Sequence, residues 1–161
     1  MAANSRMSIL LEEVAHIMGV SQLEPDQFNG CTISCSFPEA ELRVQIEPDG
    51  AEEQLRLLSY LGNIGPGRYG EVVLYEALRM NGDPLPLHGT LAFDPTNNQL
   101  CLCEKLPLQG LRGALLAEEL TLFLQKAKQW KELLDKGELP RFSEHPSSNS
   151  PMGLFSGGSI G

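Results

Sequence analysis

From Met7 to Met18 the apolar residues Met7, Leu10, Leu11, Val14, Ile17 and Met18 recur at intervals of three and four. That period predicts a helix with one apolar stripe, and it leaves Ile9 outside the stripe. Asn4 or Ser5 can cap this helix and Gly19 can stop it. Beyond a loop holding Pro25, Asp26 and Asn29 the period changes to two: Cys31, Ile33, Cys35 and Phe37 alternate with Thr32, Ser34 and Ser36, and Leu42, Val44 and Ile46 alternate with Arg43 and Gln45. Residues 55–61 form a third apolar run. The links are short, Pro48-Asp49-Gly50 being a turn signal, so the three strands form an antiparallel meander.

A second helix is predicted from about Arg68 to Met80, ended by Asn81-Gly82 and followed by Pro84 and Pro86. Its Val72, Val73, Leu74, Tyr75, Ala77, Leu78 and Met80 point almost all the way round. A short helix of that kind needs cover on most sides, which a second subunit supplies in a homodimer or neighbouring strands supply within one monomer. Gly89 to Asp94 alternates Leu91 and Phe93 against Thr90 and Ala92, and Gln99 to Leu106 alternates Leu100, Leu102 and Leu106 against Cys101, Cys103 and Lys105. Pro95-Thr96-Asn97-Asn98 joins them as a hairpin, which no parallel crossover fold contains at this point. A last helix runs from about Leu111 to Lys136, with Leu116, Leu120, Phe123, Ala127, Trp130 and Leu134 in one stripe that lies across a sheet. The order α-β-β-β-α-β-β-α makes this an α+β fold with an antiparallel sheet packed by helices. Residues 1–139 form the domain, and the Pro-, Ser- and Gly-rich residues 140–161 read as a flexible tail.

Charge narrows the partners. Twelve Lys and Arg against 21 Asp and Glu give a net charge of −9, which repels phosphate backbones and anionic lipid, so neither nucleic acid nor membrane is expected. No apolar run approaches the roughly 20 residues that span a bilayer. The first residues lead into an amphipathic helix containing Glu12 and Glu13, unlike a signal peptide, which predicts a protein that stays in the cytosol. There Cys31, Cys35, Cys101 and Cys103 are expected as free thiols serving as small apolar residues. A four-sulfur zinc site would need their strands to be neighbours, and no metal is expected.

Catalytic patterns are weak. Gly65-Pro-Gly67-Arg-Tyr-Gly70 matches G-x-G-x-x-G ahead of a helix, with Asp94 at a fitting distance for a ribose contact. The first glycine does not follow its strand directly, Pro66 stiffens the loop, and the next strand enters a hairpin, so a Gly/Pro-rich loop is the preferred reading and no cofactor is expected. His16, His88 and His145 are scattered, and none is locally paired with a nucleophile. No enzyme is predicted.

The element order, together with Gln45-Ile46-Glu47-x-Asp49-Gly50, Asn81-Gly82-x-Pro84, Gly89-Thr90-Leu91, Asn98-Gln99-Leu100-x-Leu102-Cys103, and Trp130 ahead of Lys136-Gly137-Glu138-Leu139-Pro140, resembles the class I type III secretion chaperones, the Tir-chaperone or CesT-like family. The wording is closest to chlamydial members. The resemblance implies a homodimer in the bacterial cytoplasm that binds the N-terminal region of secreted effector proteins, keeps it extended, and delivers it to the export apparatus, including its export ATPase, without using ATP. Ile9, Ile33, Phe37 and Leu42 are then candidate cargo contacts, and Val73, Ala77, Leu78, Cys101 and Cys103 candidate dimer contacts, although each is equally well accounted for as core. Cys31 to Phe37 is the candidate edge strand for an added strand. The alternatives are a protein-binding adaptor of the same fold outside secretion, or a dinucleotide-dependent enzyme using Gly65 to Gly70.

Overall fold

A computed structural model describes residues 2–28, 30–37, 40–49, 53–82 and 88–139, with only the main chain for 2–5, 35–37 and 40. The tail expected at 140–161 lies outside the described residues. The elements are α1 (Ala2–Met18), β1 (Cys31–Phe37), β2 (Ala40–Pro48), β3 (Gln54–Asn63), α2 (Arg68–Asn81), β4 (Thr90–Asp94), β5 (Gln99–Pro107) and α3 (Gly113–Lys136). The predicted order holds, with boundaries moved by a residue or two except at the start of α1, where Asn4 and Ser5, expected as caps, lie inside a helix that begins at Ala2. All strand pairs are antiparallel, and the spatial order β1-β2-β3-β5-β4 joins the meander to the hairpin through β3 and β5.

Register sorts the side chains. Ile33 pairs with Val44, Cys31 with Ile46, Ile46 with Leu57, and Leu91 with Leu102, so the apolar alternates of every strand share one face. The helices cover that face: α3 lies over β2 and β3, α1 packs against α3, and α2 packs against β4. Trp130, Phe123, Leu120 and Leu116 of α3 are fully buried there, among Leu11, Val44, Leu57 and Leu102. Ser59 is the buried polar exception, and its hydroxyl donates to the Arg43 carbonyl at 2.9 Å, so its burial costs little.

α1 is tied to the loop before α3 at two points. The Arg6 guanidinium donates to the Leu108 carbonyl, and the Gly113 N–H donates to Glu13 Oε2 at 2.8 Å. Arg112, at the N-cap of α3, supplies no side-chain cap, so a carboxylate from 100 residues away satisfies a first-turn amide and complements the helix dipole. A Cβ on Gly113 would overlap the Glu13 side chain, which shows how closely the two helices approach.

Candidate functional site

The glycine-rich loop is accounted for by backbone geometry. Gly65 and Gly67 adopt φ values of 63° and 115°, and a Cβ on Gly70 would sit 2.7 Å from the Gly65 carbonyl oxygen. Three glycines are required to turn the chain tightly into α2. Asp94 is equally committed: its carboxylate accepts from Thr96 N–H at 2.9 Å and from Asn97 Nδ2 at 3.0 Å, which holds its pKa below the ordinary value, and Tyr60 donates to it from β3.

The sheet also separates the thiols. Cys31 shares a face with Glu104, through Ile46 and Leu57, whereas Cys101 and Cys103 stand on the opposite face, with β2 and β3 between. Burial, and then Cys103, pushes Cys101 up to about 12; burial also raises Cys103 and Cys31. Protonated thiols of this kind are poor nucleophiles at neutral pH.

One polar cluster escapes sequence reasoning. His88, Glu104 and Glu119 bring one ligand atom each within 4.8 Å of one another, and His88 Nδ1 lies 3.3 Å from Glu119 Oε2. Burial first, and then the Glu119 charge, raises the Glu104 pKa, while His88 and Lys126 pull it down. Three donors could hold a cation in principle, but the Lys126 ammonium already supplies positive charge to Glu104. The sequence signal was a carboxylate on the inward-facing row Leu100, Leu102, Glu104, Leu106 of β5.

Apolar surface is the more informative feature. Ile9 and Ile17 on α1 are 56% and 53% exposed, and with Glu12, Glu13, His16, Arg112 and Ala114 they line a groove of about 780 Å³ between α1 and the start of α3. Tyr75 and Leu78 on α2 are 65% and 70% exposed. Of the four candidate cargo contacts, Ile9 is exposed. Ile33 and Leu42 are corrected to core positions, because the alternation that marks β1 and β2 turns them to the helix-covered face and leaves Thr32 and Ser34 outside. The Phe37 side chain lies outside the described residues. Val73, Ala77 and Cys101 are buried within the monomer, Cys103 is half-buried, and only Leu78 of the five dimer candidates stands free in the monomer. Ile17, assigned to the buried stripe, lies at its margin in the last turn of α1 and is left uncovered.

The Tir chaperone protein (CesT) family matches residues 9–131. Among solved structures, a chain of the HopA1–SchA chaperone–effector complex is 19% identical, covers 82% of this chain and 98% of that one, and has a TM-score of 0.64. A chain of the Yersinia pestis type III secretion chaperone SycH in complex with a stable fragment of YscM2 is 26% identical, with coverage of 77% and 98% and a TM-score of 0.60. A chain of the ExsC–ExsE complex is 22% identical, with coverage of 81% and 95% and a TM-score of 0.64. No curated protein sequence matches the chain. No helix among the described residues is long and apolar enough to cross a membrane. The family match spans α1 to α3, and the protein belongs to the Tir chaperone protein (CesT) family of type III secretion chaperones.

Proposed function

We propose that this protein acts as a homodimer in the bacterial cytoplasm, binds the N-terminal region of secreted effectors, keeps that region extended, and passes it to the export apparatus and its ATPase while performing no catalysis itself. The observation that carries the reading is the exposed α1 groove on a chain of this family. Ile9 and Ile17 are eight residues apart, roughly 12 Å along a helix. Side chains four residues apart on one face of an extended segment are spaced by roughly 13 Å, so one such segment can place two apolar anchors against both isoleucines. Glu12, His16 and Arg112 supply charges of both signs along the groove. At the end of the sheet, β1 has β2 as its single neighbour and offers main-chain groups to the same extended segment. Tyr75 and Leu78 form a separate apolar face suited to a second copy of the chain.

Co-expression with candidate effectors, followed by purification, tests this reading. A stoichiometric bound protein whose N-terminal segment is protease-sensitive once freed supports it. Ile9→Asp combined with Ile17→Asp is expected to weaken that complex about 10- to 100-fold while the exposed positions leave the fold intact. Retention unchanged in the double variant would place the cargo elsewhere. Stoichiometric nucleotide in the purified chain would overturn the non-enzymatic reading.

A further inference from the structure

Asn81 is the last residue of α2, and its side chain is bonded to a strand. Asn81 Nδ2 donates to the Leu91 carbonyl at 2.7 Å, and the Leu91 N–H donates to Asn81 Oδ1 at 2.9 Å. One carboxamide thus makes both bonds that a residue of a neighbouring antiparallel strand would make. Leu91 is the second residue of β4, and among the described residues β4 pairs with β5 alone, so these bonds fall on its outer edge. Two residues earlier, Lys126 Nζ of α3 donates to the Gly89 carbonyl at 2.7 Å. The surrounding residues fit this clamp. Gly82 ends α2 directly after Asn81, its N–H bonding back to Leu78 and Arg79, while Gly89 adopts a φ of 100° and lies so close to β5 that a Cβ would be 3.1 Å from the Leu102 side chain.

An open edge recruits other strands, and natural sheets block edges they do not use. We propose that Asn81 acts as a side-chain substitute for a sixth strand: it closes the β4 edge, so that the sheet accepts an added strand at β1 only and each protomer takes one extended segment. The proposal rests on the reading that cargo binds partly by strand addition. It gives the Asn81-Gly82 and Gly89-Thr90-Leu91 segments one shared purpose.

The test uses the full chain without cargo, through amide hydrogen exchange at Leu91 and sedimentation velocity over a range of concentrations. Asn81→Ala is expected to accelerate Leu91 exchange about tenfold or more and to produce species larger than those of the wild type. Adding Thr90→Lys, which sets an exposed cation on the opened strand, is expected to restore wild-type size. Asn81→Ala with wild-type size at every concentration would overturn the proposal, as would association that Thr90→Lys leaves unchanged. If Asn81→Ala does not fold, Asn81→Leu, which keeps the side-chain size and removes both bonds, is judged by the same two measurements. Since no cargo enters, a negative result leaves effector binding standing, and co-purification tests that separately.

Discussion

α3 turns Leu116, Leu120, Phe123, Ala127 and Trp130 into the core, every one of them buried, whereas α2 turns in Val73 and Ala77 and leaves Tyr75 and Leu78 in solvent. The first helix, α3, leaves one large apolar residue exposed, Leu115 near its start, and buries or half-buries the rest. The second has apolar residues on two opposite sides, of which the monomer covers one. The difference separates residues needed to fold from residues available to a partner, and it makes the two helices respond oppositely to mutation. Trp130→Ala should remove a fully buried ring from the centre of the core and cost about 3–5 kcal/mol of unfolding free energy, measured by urea denaturation. A loss below about 1 kcal/mol would break the comparison, because α3 would then be dispensable to packing.

The junction of α1 with α3 gives the next largest effects. Gly113→Ala places a methyl group into the Glu13 side chain and should cost about 1–3 kcal/mol. Glu13→Ala removes the distant cap of α3 and should cost about 1 kcal/mol, with faster hydrogen exchange confined to the first turn of α3 as its local signature. On α2, Leu78→Asp should change the stability of the isolated chain by no more than about 0.5 kcal/mol, because the side chain is already exposed. Sedimentation should nevertheless show a monomer, against the dimer proposed for the wild type. An unchanged dimer would move the interface away from α2 and leave Leu78 without a role.

Much of this architecture was legible because it depends on period. Alternation by two located β1, β2, β4 and β5, an apolar run located β3, 3-4 spacing located α1 and α3, an apolar run stopped by Asn81-Gly82 located α2, and the hairpin at residues 95–98 fixed the antiparallel topology. Burial at single positions was harder to read, since period identifies a face without saying what covers it. Ile33 and Leu42 suit a contact role by type although alternation puts them beneath the helices, and Ile17 belongs to the inward stripe by spacing although it is exposed in the last turn of α1. The clamp of Asn81 on Leu91 and the cap of Glu13 on Gly113 were hidden for a different reason. Each is made by one polar side chain reaching the main chain of another element, a contact that leaves no periodic trace. The Glu104 cluster left a visible trace, a charge on an apolar row, but its partners His88 and Glu119 come from other elements.

Glu104 sharpens the comparison where the inner surface stops being purely apolar. Its folded pKa is raised above the ordinary 4.5, with burial the leading cause and repulsion from Glu119 next. Between 4.5 and the raised value the folded chain therefore holds more proton than the unfolded one, so this group lowers stability as pH rises through that window. Below 4.5 both states are protonated and the penalty is absent. Glu104→Gln keeps the shape and removes the titration. It should raise the melting temperature at pH 7, and that gain should shrink steadily toward zero as the pH is lowered to about 4. His88 first and Lys126 second pull the other way, and the Lys126 pKa is itself lowered by burial first and raised by Glu104 second, so desolvation leads at both ends of the Glu104–Lys126 contact. A Gln variant that is less stable at pH 7 would reverse that order. Pairing with Lys126 would then hold the inner row together, and this end of β5 would belong with the packed core and not at its strained margin.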